Sequence, residues 1–241
     1  MSEPSAFDIP ANRDPLVKRV FDSVAPSYDI MNDVMSLGIH RLWKVAMVAY
    51  LSPQAGQTIL DVAGGTGDIA ERILRHSPQS RIISLDINPA MLAVGRDRAI
   101  ESNLDNRIDH LVATAESLPL ADRSVDGYTI AFGLRNVSRR DLALAEARRI
   151  LRPGGRFLCL EFSHVDSPAL DRLYQQWSRL IPQFGEWIAR DRLAYDYLVE
   201  SIRRHPRQRE LAAELETAGF GRVGWRNFSF GIVALHYGVR L

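Results

Sequence analysis

The chain has 241 residues, 46% of them hydrophobic and 24% charged, which suits one globular domain with or without an elaborate insertion. A formal net charge of +1 sets up no global field for nucleic acid. Two lysines, Lys18 and Lys44, both distant in sequence from any glycine turn, argue against a Walker-type phosphate loop and a lysine Schiff-base enzyme, and the one cysteine, Cys159, excludes an internal disulfide.

Residues 1–14 contain no hydrophobic signal region and read as a flexible tail, and no apolar stretch approaches the roughly 18 residues of a membrane span. A cytoplasmic protein is expected. Residues 15–51 read as a helical section. From residue 58 strands and helices alternate. "TILDVA" is a short buried strand rich in branched residues. "DIAERILRHS" puts Ile69, Ala70, Ile73 and Leu74 on one helical face. "RIISLDI" (81–87) is a second strand, and Pro89 opens the helix "PAMLAVGRDRAIES". Strand three is "RIDHLVA" (107–113) and strand four lies in "SVDGYTIAFG" (124–133). Ser138 and Asp141 look like a capping box for a helix running to Leu151. Pro153-Gly154-Gly155 stops that helix and leads into strand five, where Cys159 reads as a small buried residue. An aromatic-rich insertion follows (166–205), with Tyr174, Trp177, Phe184, Trp187, Tyr195 and Tyr197. Such aromatics form either ordinary core or a greasy cap. "GRVGWRNF" and "GIVALHYGV" are two last strands joined by a short turn. The fold class is α/β, a doubly wound Rossmann-like sheet with ligand expected at the carboxyl ends of its strands.

The turn "DVAGGTGD" (61–68) carries the first chemical signal. Gly64, Gly65 and Gly67 after a strand let a ligand lie against bare backbone at a helix N-terminus. "GTGDIA" fits the dinucleotide pattern, which is weak alone. Asp61 and Asp68 would repel a pyrophosphate, and no neighbouring cation in the sequence compensates. S-adenosylmethionine has no phosphate. It offers a sulfonium, an ammonium and a carboxylate, which suit acidic residues, backbone N–H groups and the Thr66 hydroxyl. Asp86, ending strand two, is placed to accept both ribose hydroxyls, or else to cap the helix at Asn88-Pro89. The six histidines lack ligand spacing, and no metal is expected.

Downstream, "ATAESLPLADRSVD" and "ILRPGGRFLCLE" complete a series that resembles class I S-adenosylmethionine-dependent methyltransferases. Narrower stretches are "VKRVFDSVAPSYDIMNDVMSLGIHRLWK" (17–44), "LDVAGGTGDIA" (60–70), "TIAFGLRNV" (129–137), "YLVESIRRHP" (197–206) and "GIVALH" (231–236). Together they resemble the ubiquinone/menaquinone biosynthesis C-methyltransferases over nearly the whole chain from residue 15. The resemblance implies a seven-stranded methyltransferase sheet with a helical N-terminal lid (15–51) and a helical cap (166–205). It implies methyl transfer from S-adenosylmethionine to a ring carbon of a polyprenylated benzoquinol, a demethylmenaquinol, or both. Carried over by position, cofactor contacts fall at Thr66, Asp86, Thr114, Ala115 and Ala131, and Asp61, Gly65 and Gly67 of the glycine turn complete the expected set. Thr114 stands where asparagine is common and Ala131 where serine is, so both contacts are expected through backbone. Ala63 in place of the first glycine is typical of this family, and Phe230 stands where glycine is usual.

The implied reaction needs a nucleophilic ring carbon, so a ring hydroxyl must share or lose its proton. Arg135, in the turn after strand four, is expected to stabilise the developing phenolate, directly or through water, by about 2–4 kcal/mol. The competing reading is a surface salt bridge to an acid on the following helix. Asn136 is expected to orient the ring oxygens. Tyr28, in the N-terminal segment, is a candidate for proton handling, beside His40 and His164. A substrate with a polyprenyl tail is compatible with transient contact at the inner face of the membrane through the basic "ESIRRHPRQRE". A homodimer or a larger quinone-biosynthesis assembly stays open. So do a methyltransferase acting on another hydrophobic phenol or sterol, a nicotinamide-dependent oxidoreductase, and a non-catalytic scaffold.

Overall fold

The computed structural model describes residues 36, 38–165 and 192–241. The tail 1–14, residues 15–35 of the helical section with Tyr28, and residues 166–191 of the insertion with Tyr174, Trp177, Phe184 and Trp187 lie outside the described residues, as does the side chain of Tyr195.

Helix α1 (His40–Leu51) precedes the sheet. The alternation then runs β1 (Thr58–Val62), α2 (Asp68–His76), β2 (Arg81–Asp86), α3 (Pro89–Glu101), β3 (Ile108–Val112), β4 (Val125–Ala131), α4 (Arg140–Ile150) and β5 (Leu151–Phe162). After the insertion come α5 (Arg192–Arg203), α6 (Gln208–Thr217), β6 (Phe220–Phe228) and β7 (Val233–Arg240). The seven strands form one sheet in the order β3-β2-β1-β4-β5-β7-β6. Strands β1 to β5 pair in parallel, and β7 runs antiparallel between β5 and β6.

Helices on both faces explain why the parallel strands read as nearly continuous apolar runs. On one face Trp43, Met47 and Val48 of α1 join Ile69, Ile73 and Leu74 of α2 over Ile59, Ile82 and Leu158. On the other, Leu144 and Ala147 of α4 and Leu211 and Leu215 of α6 cover Leu60, Tyr128 and Phe157. The four residues expected on the apolar face of α2 are its buried ones. Pro89 is the first residue of α3, capped by Asn88, whose side-chain oxygen accepts the Ala90 and Met91 N–H groups.

Two expected details differ. Helix α4 has Arg139, not Ser138, at its N-cap, with no side-chain cap bond. The Arg139 N–H donates to Glu116 across the fold (2.7 Å), and the Arg139 side chain holds Asp141 (3.0 Å and 2.8 Å). Pro153-Gly154-Gly155 does not separate the helix from the strand. It lies within β5, where the register jumps from Leu151, opposite Val125, to Arg156, opposite Gly127.

Candidate active site

The strand order reverses between β1 and β4, because chain connections step outward from this pair in opposite directions. In such sheets ligands bind outside the carboxyl ends at that point. A cleft of about 1010 Å³, its open mouth included, lies there. Its walls are the turns after β1, β2, β3 and β4, closed at one side by Lys44 of α1.

The turns fit together only because certain side chains are missing. A Cβ on Gly64 would lie 2.4 Å from the Ser84 hydroxyl of β2, and a Cβ on Gly133 would lie 2.4 Å from the Cβ of Ala63. The backbone after β1 therefore sits tight against β2 and against the turn after β4. Phe132, on that second turn, is held at φ 56°, a left-handed conformation costing an aromatic residue about 1–2 kcal/mol. Such strain concentrates at sites that need it.

Asp86 ties the cleft together. Its Oδ2 accepts the Gly65 N–H (3.0 Å) and its Oδ1 the Asn88 N–H (2.9 Å). Burial pushes its pKa up, and the N–H groups of Asn88, Gly65 and Ile87 pull against that. Asn88, not Asp86, is the helix cap, so the carboxylate faces the cleft with lone pairs to spare. Gly65, Thr66, Thr114, Ala115, Ala131 and Asn136 also line the cleft. Thr114 Oγ1 accepts the Glu116 N–H (3.3 Å), which shapes the loop after β3.

Two expected cofactor contacts are not in the lining. Gly67 caps α2 in the left-handed region, against Gly95 of α3. Asp61 lies inside the sheet, opposite Ser84 on one side and Thr129 on the other, and its Oδ1 accepts the Thr129 hydroxyl (2.8 Å). Burial pushes Asp61 up to about 7, with Thr129 and Lys44 opposing and Asp68 and Asp86 adding to the rise. The carboxyl of an unfolded chain titrates near ~3.9. Between about pH 4 and 7 the folded protein therefore holds a proton that the unfolded chain releases, so stability falls as pH rises through that window and levels off above it. Asp61→Asn keeps an acceptor for Thr129 and carries no charge. Its melting temperature relative to the unaltered protein should rise from pH 5 to pH 8. Parallel curves would mean that Asp61 titrates as an ordinary carboxyl.

Lys44 overturns the expectation of no cation beside the glycine turn. Its Nζ donates to Asp68 Oδ2 at 2.8 Å, and Asp68 Oδ1 accepts from Arg72 Nε at 2.6 Å. Burial raises the Asp68 pKa, but Lys44 and Arg72 more than offset this and hold it below the usual range. Among the described residues the charged groups of the lining are three acids, Asp68, Asp86 and Glu116, and one cation, Lys44. That surplus disfavours a pyrophosphate and suits a ligand carrying positive charge.

The turn after β4 also differs from expectation. Arg135 neither lines the cleft nor reaches the surface. Its Nη1 donates to Glu161 Oε1 of β5 at 2.8 Å and to the Phe132 carbonyl, its own N–H donates to Glu161 Oε2 (3.2 Å), and its guanidinium lies 5.6 Å from the Phe162 ring centroid. The partner is on β5 and not on the following helix, whose Asp141 is held by Arg139. Arg135 is thus a buried strut for residues 132–136. Asn136 does line the cleft, and its Oδ1 accepts the Tyr197 hydroxyl of α5 at 2.9 Å. The end of α5 is stitched to the chain after β5 by His164 Nε2 with the His205 carbonyl and by Gln208 Nε2 with the His164 carbonyl, both 2.8 Å. His40, bonded to Ser36 (2.7 Å), is not in the lining. Sequence reasoning missed the roles of Lys44, Glu161 and Tyr197. Lys44 and Tyr197 do fall within stretches that carry the family resemblance. Among the described residues no group of three His, Cys, Asp or Glu side chains could hold a metal ion.

A model described as the ubiE/COQ5 methyltransferase family matches residues 9–240. The ubiquinone/menaquinone biosynthesis C-methyltransferase UbiE of Brucella abortus (strain S19) is 57% identical over 230 residues, which cover 94% of this chain and 86% of that one. Among solved structures, a SAM-dependent methyltransferase from Thermotoga maritima aligns with a TM-score of 0.65 at 19% identity, covering 93% of this chain and 99% of its own. One from Aquifex aeolicus aligns with a TM-score of 0.60 at 18% identity, covering 82% and 89%. At those identities the two structures share the fold.

Proposed function

The chain belongs to the ubiE/COQ5 methyltransferase family, and from that premise we propose that it methylates a ring carbon of a polyprenylated quinol, benzoquinol or demethylmenaquinol, with S-adenosylmethionine as donor. One observation supports the donor assignment: among the described residues, the cleft at the reversal of strand order presents three acids, a glycine turn and one lysine. S-adenosylmethionine supplies a methyl group on positively charged sulfur. Asp86 would take the ribose hydroxyls, and Gly64 to Thr66 with Thr114 and Ala115 would hold the rest of the donor.

Alignment of two reactants alone is worth about 7–11 kcal/mol, and most of what these residues do is alignment. A quinol hydroxyl, with a pKa near ~10 like that of tyrosine, must share its proton as its ring becomes nucleophilic. The Asn136 amide is the group of the turn after β4 that faces the cleft. With its oxygen occupied by Tyr197, its NH₂ is left to donate to a ring oxygen. Arg135 acts through the turn it holds. The quinol substrate carries a polyprenyl tail. That tail calls for docking at a membrane surface, and no helix among the described residues is long and apolar enough to cross one.

The test is turnover with a short-chain demethylquinol, followed by mass spectrometry of the ring. One methyl gained per cofactor consumed is expected. Methylation of a phenol or sterol with none of the quinol would overturn the substrate. Tyr197→Phe should lower kcat roughly fivefold, the worth of about 1 kcal/mol for one lost hydrogen bond, with cofactor Kd unchanged. Unaltered kcat would remove Tyr197 from the positioning of Asn136.

A further inference from the structure

We propose that the Lys44–Asp68 pair is a two-charge cradle for the amino-acid end of the methyl donor, Lys44 receiving its carboxylate and Asp68 its ammonium. This rests on the S-adenosylmethionine reading above. Lys44 is 6% exposed, and lysine is almost never buried unless paired. Its ammonium has three donors. Asp68 is the one acceptor it has among the described residues, and both side chains line the cleft. Donors remain on a buried cation that faces an open cavity.

The local charge points the same way. Lys44, Asp68 and Arg72 form a chain of two cations and one anion, a row of unlike charges whose surplus cation favours a carboxylate beside Lys44. Asp68 is the first residue of the nine-residue helix α2, whose leading N–H groups favour an anion at the same spot. A zwitterion with carboxylate and ammonium on one carbon can then face Lys44 with one group and Asp68 with the other. The unlike pair already present is complementary to it.

Position completes the argument. Asp86 at the end of β2, and Thr114 and Ala115 after β3, lie on one side of the glycine turn. Helix α1 packs on α2 and β5, so Lys44 enters from the other side. A ligand with its nucleoside at Asp86 and Thr114 extends across the turn towards Lys44. The amino-acid end of S-adenosylmethionine is the part that remains.

Calorimetric titration of the full chain with two ligands tests this. S-adenosylmethionine has the amino-acid end, and 5′-methylthioadenosine has the same nucleoside and sulfur without it. For Lys44→Met, Kd for S-adenosylmethionine should rise at least tenfold while Kd for methylthioadenosine stays within twofold. Equal changes for the two ligands, or no change, would overturn the proposal. Lys44→Gln can still hydrogen-bond Asp68, which protects the fold, and it is held to the same two outcomes. Decarboxylated S-adenosylmethionine should bind the unaltered protein at least tenfold more weakly than the intact cofactor; equal binding also overturns the cradle. If the unaltered protein binds neither S-adenosylmethionine nor methylthioadenosine, the cofactor reading itself fails, which is a different result.

Discussion

Arg135→Met should cost about 3–5 kcal/mol of folding stability, the usual penalty for removing one partner of a buried ion pair. The side chains of Arg135 and Glu161 are 6% and 1% exposed and meet at 2.8 Å. Methionine fills much of the same volume but leaves the Glu161 carboxylate buried beside nothing of opposite charge. For a domain of this size each kcal/mol is worth about 2–4 °C, so the melting temperature should fall by roughly 6–20 °C. Adding Glu161→Gln removes the stranded charge and keeps an acceptor for the Arg135 or Phe162 N–H that Glu161 now serves. The double variant should recover a large part of the loss, giving a coupling of ~2 kcal/mol or more in a double-mutant cycle. Urea denaturation of the four proteins measures it. A single variant within about 1 kcal/mol of the unaltered protein would show that the pair is not a strut. The comparison also separates two roles. If the guanidinium touched the reacting ring, Arg135→Lys would depress kcat and leave stability alone. As a strut, it should lower both, because the lysine side chain is one atom shorter and does not carry its nitrogen to the point between the Phe132 carbonyl and Glu161 where Nη1 sits.

The reassignment of Arg135 shows what can be seen in a sequence and what cannot. Features set by a few neighbouring residues were visible: the apolar face of α2, the Asn88-Pro89 helix start, the glycines after β1. Strand types followed from apolar runs, because a parallel sheet covered on both faces leaves that pattern. Pairings across the fold were hidden. Lys44 meets Asp68 across 24 positions and Arg135 meets Glu161 across 26, and no periodicity announces either. Lys44 reaches the glycine turn only because α1 docks on α2 through Trp43, Met47 and Val48. Asp61 was misplaced for a local reason. Alternation along a strand turns its side chain onto a face of the sheet, beside Thr129 of β4, and not out of the strand end, a direction that depends on where β1 stops. Likewise Ser138 is a good cap by type, yet Glu116 takes the Arg139 N–H and the helix starts there.

The second large effect is expected at Asp86. Asp86→Ala should raise the Kd for S-adenosylmethionine roughly 30- to 150-fold, about 2–3 kcal/mol. Hydrogen bonds to a charged group contribute about 1.5–3 kcal/mol each. The carboxylate would lose its bonds to the two ribose hydroxyls, but solvation of the freed hydroxyls returns part of that. A second consequence adds to the first. The same two oxygens hold the Gly65 N–H of the glycine turn and the Asn88 N–H before α3, so alanine also loosens the wall on which the ligand lies. Asparagine is not a mild substitute, since its NH₂ would face one of those N–H donors. The ribose contribution can be isolated on the ligand. Removing the 2′- and 3′-hydroxyls of methylthioadenosine should weaken binding to the unaltered protein by about tenfold or more, the worth of at least one hydrogen bond to a charged group. The same removal should cost Asp86→Ala almost nothing further. If the dideoxy ligand loses as much on Asp86→Ala as on the unaltered protein, Asp86 does not bind the ribose. Its carboxylate would then serve only to join the turn after β1 to the start of α3.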